Sequence, residues 1–362
     1  MGDPEMEKQM VISEKINQQF NKLVDYWGGK YPDYYGGAYI ENERMVLLVT
    51  CDPAEVNSDI ARITGNDDIE YKKVDNSYAE LEALRIRLND IIHTSIKENE
   101  NKNIYKIASL RVDRKNNDVL VMLMPDAPDK GDYLEKIFGK DSRIRYEYQK
   151  NPIVQQSTNI MAGCGQDLVN ASNNKNGTIS FNAKMPNAYG VTKNGFVISG
   201  HVTSNYGDQI KINGTTVGTV IFRSLGGYYD AAFVDTSGYP GSGYVNSNIL
   251  STYYSIVGPA TTGMPGTIYA MHGGVSGIVY GTVVDDKVGY WNNEYDFSSS
   301  YWMEDQICMR LSTERGDSGA PLVSNGYSYT RYVVGILNGG DGFYSYYSKA
   351  SRILSGMNGW LY

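Results

Sequence analysis

Residues 315–322 read Arg315-Gly316-Asp317-Ser318-Gly319-Ala320-Pro321-Leu322. A serine flanked by glycines on a tight turn, with an apolar strand directly behind it, has the form needed to expose a hydroxyl and to aim backbone N–H groups at a neighbouring point. Taken alone, the segment reads equally well as a surface turn entering a strand. A serine hydroxyl is a weak nucleophile at neutral pH until a positioned base takes its proton, so the first reading requires a histidine and a group to orient it. Both occur upstream. His201 closes the run Gly195-Phe196-Val197-Ile198-Ser199-Gly200-His201, where an apolar strand meets a turn. Asp230 opens Asp230-Ala231-Ala232-Phe233-Val234, a carboxylate at the entrance of a buried strand. Each residue is unremarkable by itself; together they are the three residue types of one mechanism, in the chain order His, Asp, Ser.

The body of sequence around these residues differs in composition from what precedes it. Of the 362 residues, the first 150 hold 22 Lys and Arg and 28 Asp and Glu, whereas residues 151–362 hold 11 and 13 and carry 31 of the 39 glycines. The first part reads as a charged α/β domain and the second as a turn-dense, all-β body, enough chain for two domains. The net charge of −8 argues against a nucleic-acid partner, since neutralising phosphates needs a basic surface. No run of about 18 apolar residues is present to span a membrane, and the start, MGDPEMEKQM, lacks the basic-then-apolar form of a signal peptide. Cys51, Cys164 and Cys308 make no disulfide framework, with at most one bridge, Cys164 to Cys308, available in the second part. Three histidines (His93, His201, His272) without CxxC or HExxH spacing point to no metal site, and no cofactor is expected.

Periodicity places helices at 12–26, 78–97 (with Ser77 as N-cap) and near 131–138, and a short one from Asp52-Pro53 toward Ile63. Strands are expected at Tyr39–Ile40 with Met45–Thr50, Ile107–Asp113, Val119–Met124 and near 143–148. After Lys150 the segment 151–162 reads as a polar linker or cleavage region. Beyond it, short β-branched and aromatic runs recur at 178–183, 195–199, 215–222, 231–235, 267–271, 276–284, 321–323 and 332–337, with a helix near 348–356 and no fixed-period repeat.

Residues 160–360 resemble a serine protease of the chymotrypsin superfamily, in the bacterial streptogrisin and alpha-lytic protease branch. The segments that carry the resemblance are GFVISGH (195–201), YYDAAFV (228–234), RGDSGAPLV (315–323), GILNGGDG (335–342) and GGVSGIVYGTV (273–283). Val202 and Glu314 stand where many relatives have disulfide cysteines. The resemblance implies a mainly β fold, a chymotrypsin-like double six-stranded antiparallel β-barrel over 163–362. YYGGAYIENERMVLLVT (34–50) is similar to the opening of the pro-regions of the same branch, which implies a separate α/β pro-domain over 1–150 that assists folding and occludes the cleft.

By the same resemblance, Ser318 is the nucleophile, His201 the general base and acid, and Asp230 the group that fixes the histidine tautomer. The N–H groups of Gly316 and Ser318 form the oxyanion hole. Ser312 lies at the bottom of the primary pocket, with Asn338, Gly339 and Gly340 as its wall and as the track for an extended peptide. A neutral Ser312 implies cleavage after large apolar or aromatic residues; Arg315 at the rim leaves acidic, glutamyl-type specificity as the alternative. The expectation is thus a serine endopeptidase made as a zymogen, monomeric, with polypeptide substrate and its own pro-domain as partners. It would be secreted or at the cell surface, a cytoplasmic place not being excluded. The competing classes are a non-catalytic binding or adhesion protein on a protease fold and an esterase with the same triad. His93 and His272 read as structural or solvated.

Overall fold

The computed structural model describes residues 3–98, 104, 106–128, 132–155, 167–171, 174–212, 214–239, 249–250, 254–293, 300–326 and 330–361. The N-terminal part runs α1 (Pro4–Tyr26), β1 (Tyr35–Glu41), β2 (Arg44–Val49), α2 (Asn57–Thr64), β3 (Ile69–Lys73), α3 (Tyr78–Glu98), β4 (Ile107–Asp113), β5 (Asp118–Leu123), α4 (Asp132–Phe138) and β6 (Ile144–Tyr148). Helix α1 starts eight residues before the apolar period does, because Asp3 caps it by accepting from the Glu5 N–H at 2.9 Å and Pro4 fits the first turn. Ser77 begins α3 as expected, in a reciprocal box: its N–H donates to Glu80 at 2.9 Å and its hydroxyl accepts from the Glu80 N–H at 3.3 Å. The order helix, hairpin, helix, parallel strand occurs twice, in α1–β3 and in α3–β6, with β2–β3 and β5–β6 the parallel pairs. This is a repetition of topology, invisible as a sequence period.

A two-residue strand, β7 (Val154–Gln155), leads to the second part. Its first unit holds β8 (Asp167–Asn170), β9 (Asn176–Thr178), β10 (Phe181–Pro186), β11 (Thr192–Ile198), β12 (Gln209–Ile212), β13 (Thr215–Ser224) and β14 (Ala231–Asp235). After β15 (Ile249–Leu250) and β16 (Tyr254–Pro259), the second unit holds β17 (Ile268–Gly273), β18 (Gly277–Asn293), β19 (Ser300–Arg310), β20 (Pro321–Asn325), β21 (Thr330–Gly340) and β22 (Ser345–Lys349). The chain ends in α5 (Ala350–Gly356) and β23 (Trp360–Leu361). Strands β17, β18, β19, β22, β21 and β20 pair in that cyclic order, each antiparallel to the next, and close a six-stranded barrel. The first unit is an eight-strand antiparallel path, β23-β10-β11-β14-β13-β12-β8-β9. The expected mainly β double-barrel architecture is present, with β9, β23 and the strands of the N-terminal part added to the two six-stranded units.

In the two barrels, strand alternation sends neighbouring apolar residues to different cores. Phe196 and Ile198 of β11, with Ala232 and Val234 of β14, fill the first barrel. Their neighbours Val197, Ala231 and Phe233 face outward onto Ala270, Val323 and Ile336 of the second barrel, joining the two. Tyr269, Met271, Leu322 and Leu337 fill the second.

The N-terminal part has its own core and also joins the second barrel: β4 adds to that barrel's sheet through Leu110 opposite Gly289 and Ser109 opposite Tyr290, and Trp291 and Trp302 are buried in the N-terminal core. The expectation for 151–162 needs correction: over its described residues 151–155 it is not simply an exposed linker. Ile153 is fully buried, and β7 pairs with Gly339 and Gly340 of β21 and with Asn293 of β18. Residues 156–162, and Cys164 with its possible pairing, lie outside the described residues.

Candidate active site

The three residues singled out from the sequence meet between the barrels. Strand β11 pairs with β14 in a register that sets Ile198 opposite Ala232, so the turn after β11 and the residue before β14 arrive together. His201 sits in a single 3-10 turn over Gly200–Val202. Gly200 permits this, since a Cβ there would stand about as close as 2.5 Å to the Ser224 carbonyl. Ser318 comes from the second barrel, on the loop between β19 and β20. That loop is pinned to the first barrel where the Thr178 N–H donates to the Ser318 carbonyl at 2.7 Å and the Thr178 hydroxyl to the Gly316 carbonyl at 2.9 Å. Gly319 has φ +93°, and a Cβ on it would collide with the Thr178 carbonyl, so only glycine allows the loop to approach β9 this closely.

The geometry is that of a relay. Ser318 Oγ lies 2.7 Å from His201 Nε2, and His201 Nδ1 lies 2.6 Å from Asp230 Oδ2. Asp230 Oδ1 also accepts the His201 backbone N–H at 2.9 Å, which fixes the carboxylate to the turn as well as to the ring. All three side chains are buried. Burial alone would push the Asp230 carboxyl up, yet the electrostatic pull of the adjoining His201 and hydrogen bonds from His201 and Tyr301 hold it below the ordinary carboxylate value, so it stays ionised. Nδ1 is thereby the protonated nitrogen, leaving Nε2 free to accept from the hydroxyl. Among the described residues, no protein acceptor takes the N–H groups of Gly316 or Ser318.

Asp317 was part of the sequence motif without an assigned role. It is fully buried and accepts four hydrogen bonds: from the Val275 and Ser276 N–H groups at 2.9 and 3.1 Å, from the Ser276 hydroxyl at 2.5 Å and from the Glu314 N–H at 2.9 Å. It therefore ties the serine loop to the β17–β18 turn. Three further residues contact the triad without having been found in the sequence. Ser348 Oγ accepts the Asp230 N–H at 3.0 Å, the Tyr301 hydroxyl donates to Asp230 Oδ2 at 2.7 Å, and Asn292 Nδ2 stands 3.4 Å from the same oxygen. They come from distant strands, and nothing local in their sequences marks them.

The expected pocket residues divide. Gly339 and Gly340 are buried in β21, beside β7. Asn338 is buried with its side-chain amide turned inward, 2.9 Å from Gln306 Oε1 and 2.7 Å from Ser348 Oγ, so it braces the interior instead of lining a pocket wall. Ser312 is exposed, not at the floor of an enclosed pocket, and Arg315 is half-buried. Ile153 of the incoming chain is seated in an apolar recess with Tyr290, Met303 and Tyr346. Of the other histidines, His93 contacts Glu304 at 2.6 Å, and His272 is buried in β17.

Residues 5–74 match the family of Pro-like N-terminal domains. Curated protein sequences give no match. Among solved structures, the chain is similar to the Nocardiopsis protease NAPase at 22% identity and TM-score 0.40, over 54% of this chain and 96% of that one. It is similar to the Thermobifida fusca protease A at 17% identity and TM-score 0.41, with the same coverage of both chains. A third likeness is to the Cellulomonas bogoriensis chymotrypsin, at 20% identity and TM-score 0.40, over 55% of this chain and 96% of that one.

Proposed function

We propose that the chain is the precursor of a serine endopeptidase, with Ser318 as nucleophile, His201 as general base and then acid, and Asp230 as the carboxylate that orients the imidazole. The observation that carries this reading is the line of contacts Asp230–His201–Ser318, at 2.6 and 2.7 Å, beside two N–H groups without an acceptor among the described residues. In this reading Ser318 Oγ adds to the scissile carbonyl carbon while its proton passes to His201 Nε2. The oxygen that becomes negative is received by the Gly316 and Ser318 N–H groups, a contribution of roughly 10²–10³ in rate per donor. His201 returns the proton to the leaving amine, and water repeats the sequence on the acyl-enzyme. A non-catalytic binding protein on this scaffold has no need of the relay, and the complete set of contacts argues against it.

The precursor part of the reading rests on β7. An extended peptide substrate would lie along Gly339–Gly340, and the chain's own residues 154–155 run antiparallel to that strand. Cleavage within 156–162 would free this track. The recess that holds Ile153 favours apolar side chains in peptides that bind alongside β21, in keeping with a preference for large apolar or aromatic residues.

Reaction with a fluorophosphonate probe tests the chemistry: the parent chain should be labelled, and Ser318→Ala and His201→Ala should not. An unlabelled parent chain overturns the proposal. Self-processing is read from size, since Ser318→Ala should remain full length while the parent chain is cut; equal sizes refute it.

A further inference from the structure

The carboxylate of Asp230 receives donors from two sources. One is the His201 turn. The other is the loop end of the β18–β19 hairpin, where Asn292 and Tyr301 face one another across the strands. There the Tyr301 hydroxyl donates to Asp230 Oδ2 at 2.7 Å, and Asn292 Nδ2 donates to the Tyr301 hydroxyl oxygen at 3.0 Å. His201 already holds both oxygens, Oδ1 through its backbone N–H and Oδ2 through Nδ1; the Tyr301 donor adds a second hydrogen bond to Oδ2 and strengthens that hold on the oxygen facing Nδ1–H. Tyr301 reaches Asp230 from 71 positions away in the chain.

The next residue faces the other way. Successive side chains of a strand point to opposite faces, so the hairpin that turns Tyr301 toward the triad turns Trp302 toward the N-terminal part. Trp302 is buried in that core, edge-on to Trp291 with ring centroids 5.5 Å apart, and its Nε1 donates to Asn89 Oδ1 of α3 at 3.0 Å. Asn89 Nδ2 in turn donates to Glu304 at 3.0 Å. On the other strand, Gly289 and Tyr290 are paired with β4. The backbone of Trp302 and Glu304 also exchanges hydrogen bonds with Gly227, three residues before Asp230, at 2.9 and 2.7 Å.

We propose that Tyr301 is a positioning residue for the His201–Asp230 pair, and that the N-terminal part holds it in place by gripping Trp302 and Glu304 through Asn89. This rests on the triad reading above and adds to it a control of the triad from outside the barrels. Tyr301→Phe removes one oxygen and leaves the ring. Its kcat on a peptide ester should fall about ten- to hundredfold with KM within about twofold, short of the roughly 10⁴-fold cost of losing the carboxylate's role altogether. The low-field proton resonance of His201 Nδ1–H should shift or broaden in the same variant. Asn292→Ala, which frees the phenol without removing it, should lower kcat in the same direction by less, and it serves if Tyr301→Phe does not fold. Asn89→Ala, measured on the unprocessed chain by its rate of fluorophosphonate labelling, should slow labelling several-fold. A parent chain that reacts while Tyr301→Phe keeps its kcat and its His201 resonance overturns the positioning role. Unchanged labelling of Asn89→Ala overturns the grip. A parent chain that does not react at all instead sinks the protease reading, so the two failures are distinct.

Discussion

Replacing His272 with glutamine should flatten the acid side of this protein's stability profile. His272 lies in β17, one residue from Gly273, where an added Cβ would collide with the Asp317 carboxylate. It is 5% exposed, and burial, aided by the nearby Arg331 charge, pulls its pKa from 6.5 down to about 4. A histidine whose folded pKa is depressed favours the fold in its neutral form. Its contribution is therefore complete above pH 6.5 and disappears as the pH falls through about 4. The distance between the two values is worth about 3 kcal/mol at pH 4 and about 2 kcal/mol at pH 5. The assay is urea unfolding followed by tryptophan fluorescence, in a Ser318→Ala background that removes the proposed self-cleavage, at pH 7 and pH 5. Carboxylates elsewhere titrate alike in both chains, so the relevant quantity is the difference between His272 and His272→Gln in how much stability is lost. An equal loss in the two would refute the reasoning, as would an imidazole C2–H titration midpoint near 6.5.

Two other outcomes follow from the serine loop. Asp317→Asn keeps the shape but turns an amide N–H₂ toward groups that are themselves donors. Probe labelling should slow by about 10²–10³, the cost of losing one oxyanion donor, without loss of circular dichroism, and an unchanged labelling rate would show that the loop holds its shape without this anchor. Gly319→Ala places a Cβ against the Thr178 carbonyl in a backbone conformation with positive φ. It should abolish soluble, reactive protein; a soluble variant labelled at the parent rate would contradict the close approach of the loop to β9.

What was legible in the sequence was what local pattern controls. Helix α3 runs Tyr78–Glu98 against the expected 78–97, because a capping box and an apolar stripe fix it within its own residues. Strands β4 and β14 lie where the sequence runs placed them, as does the buried half of β11, Gly195–Ile198, since there they are buried on both faces; the polar start of β11, Thr192–Asn194, went unseen. Strand β19, SYWMEDQICMR, went unseen: Glu304 and Asp305 interrupt its pattern, and its place is set by partners on β18 and β22. Strand β22, SYYSK, is too short and too polar to announce itself. His201, Asp230 and Ser318 could be found because the chemistry proposed for them needs particular residue types at strand ends. The residues that hold them could not, since a Tyr in position 301 gains its meaning only from pairing with Asn292 and from facing Asp230. For the same reason the polar look of 151–155 hid a buried Ile153.

The sheet shared by β4 and β18 has a consequence for any species that lacks residues 1–150. The backbone of Gly289 and Tyr290 would present an open strand edge, with Trp291 and Trp302 uncovered beside it. Such an edge is a template for adding a strand from another chain. The surface that holds the N-terminal part is thus, once vacated, open to pairing with another chain. A long-lived free enzyme would need to cover it, whether by folding the hairpin down, by keeping the cut N-terminal part bound, or by pairing with a second copy of itself.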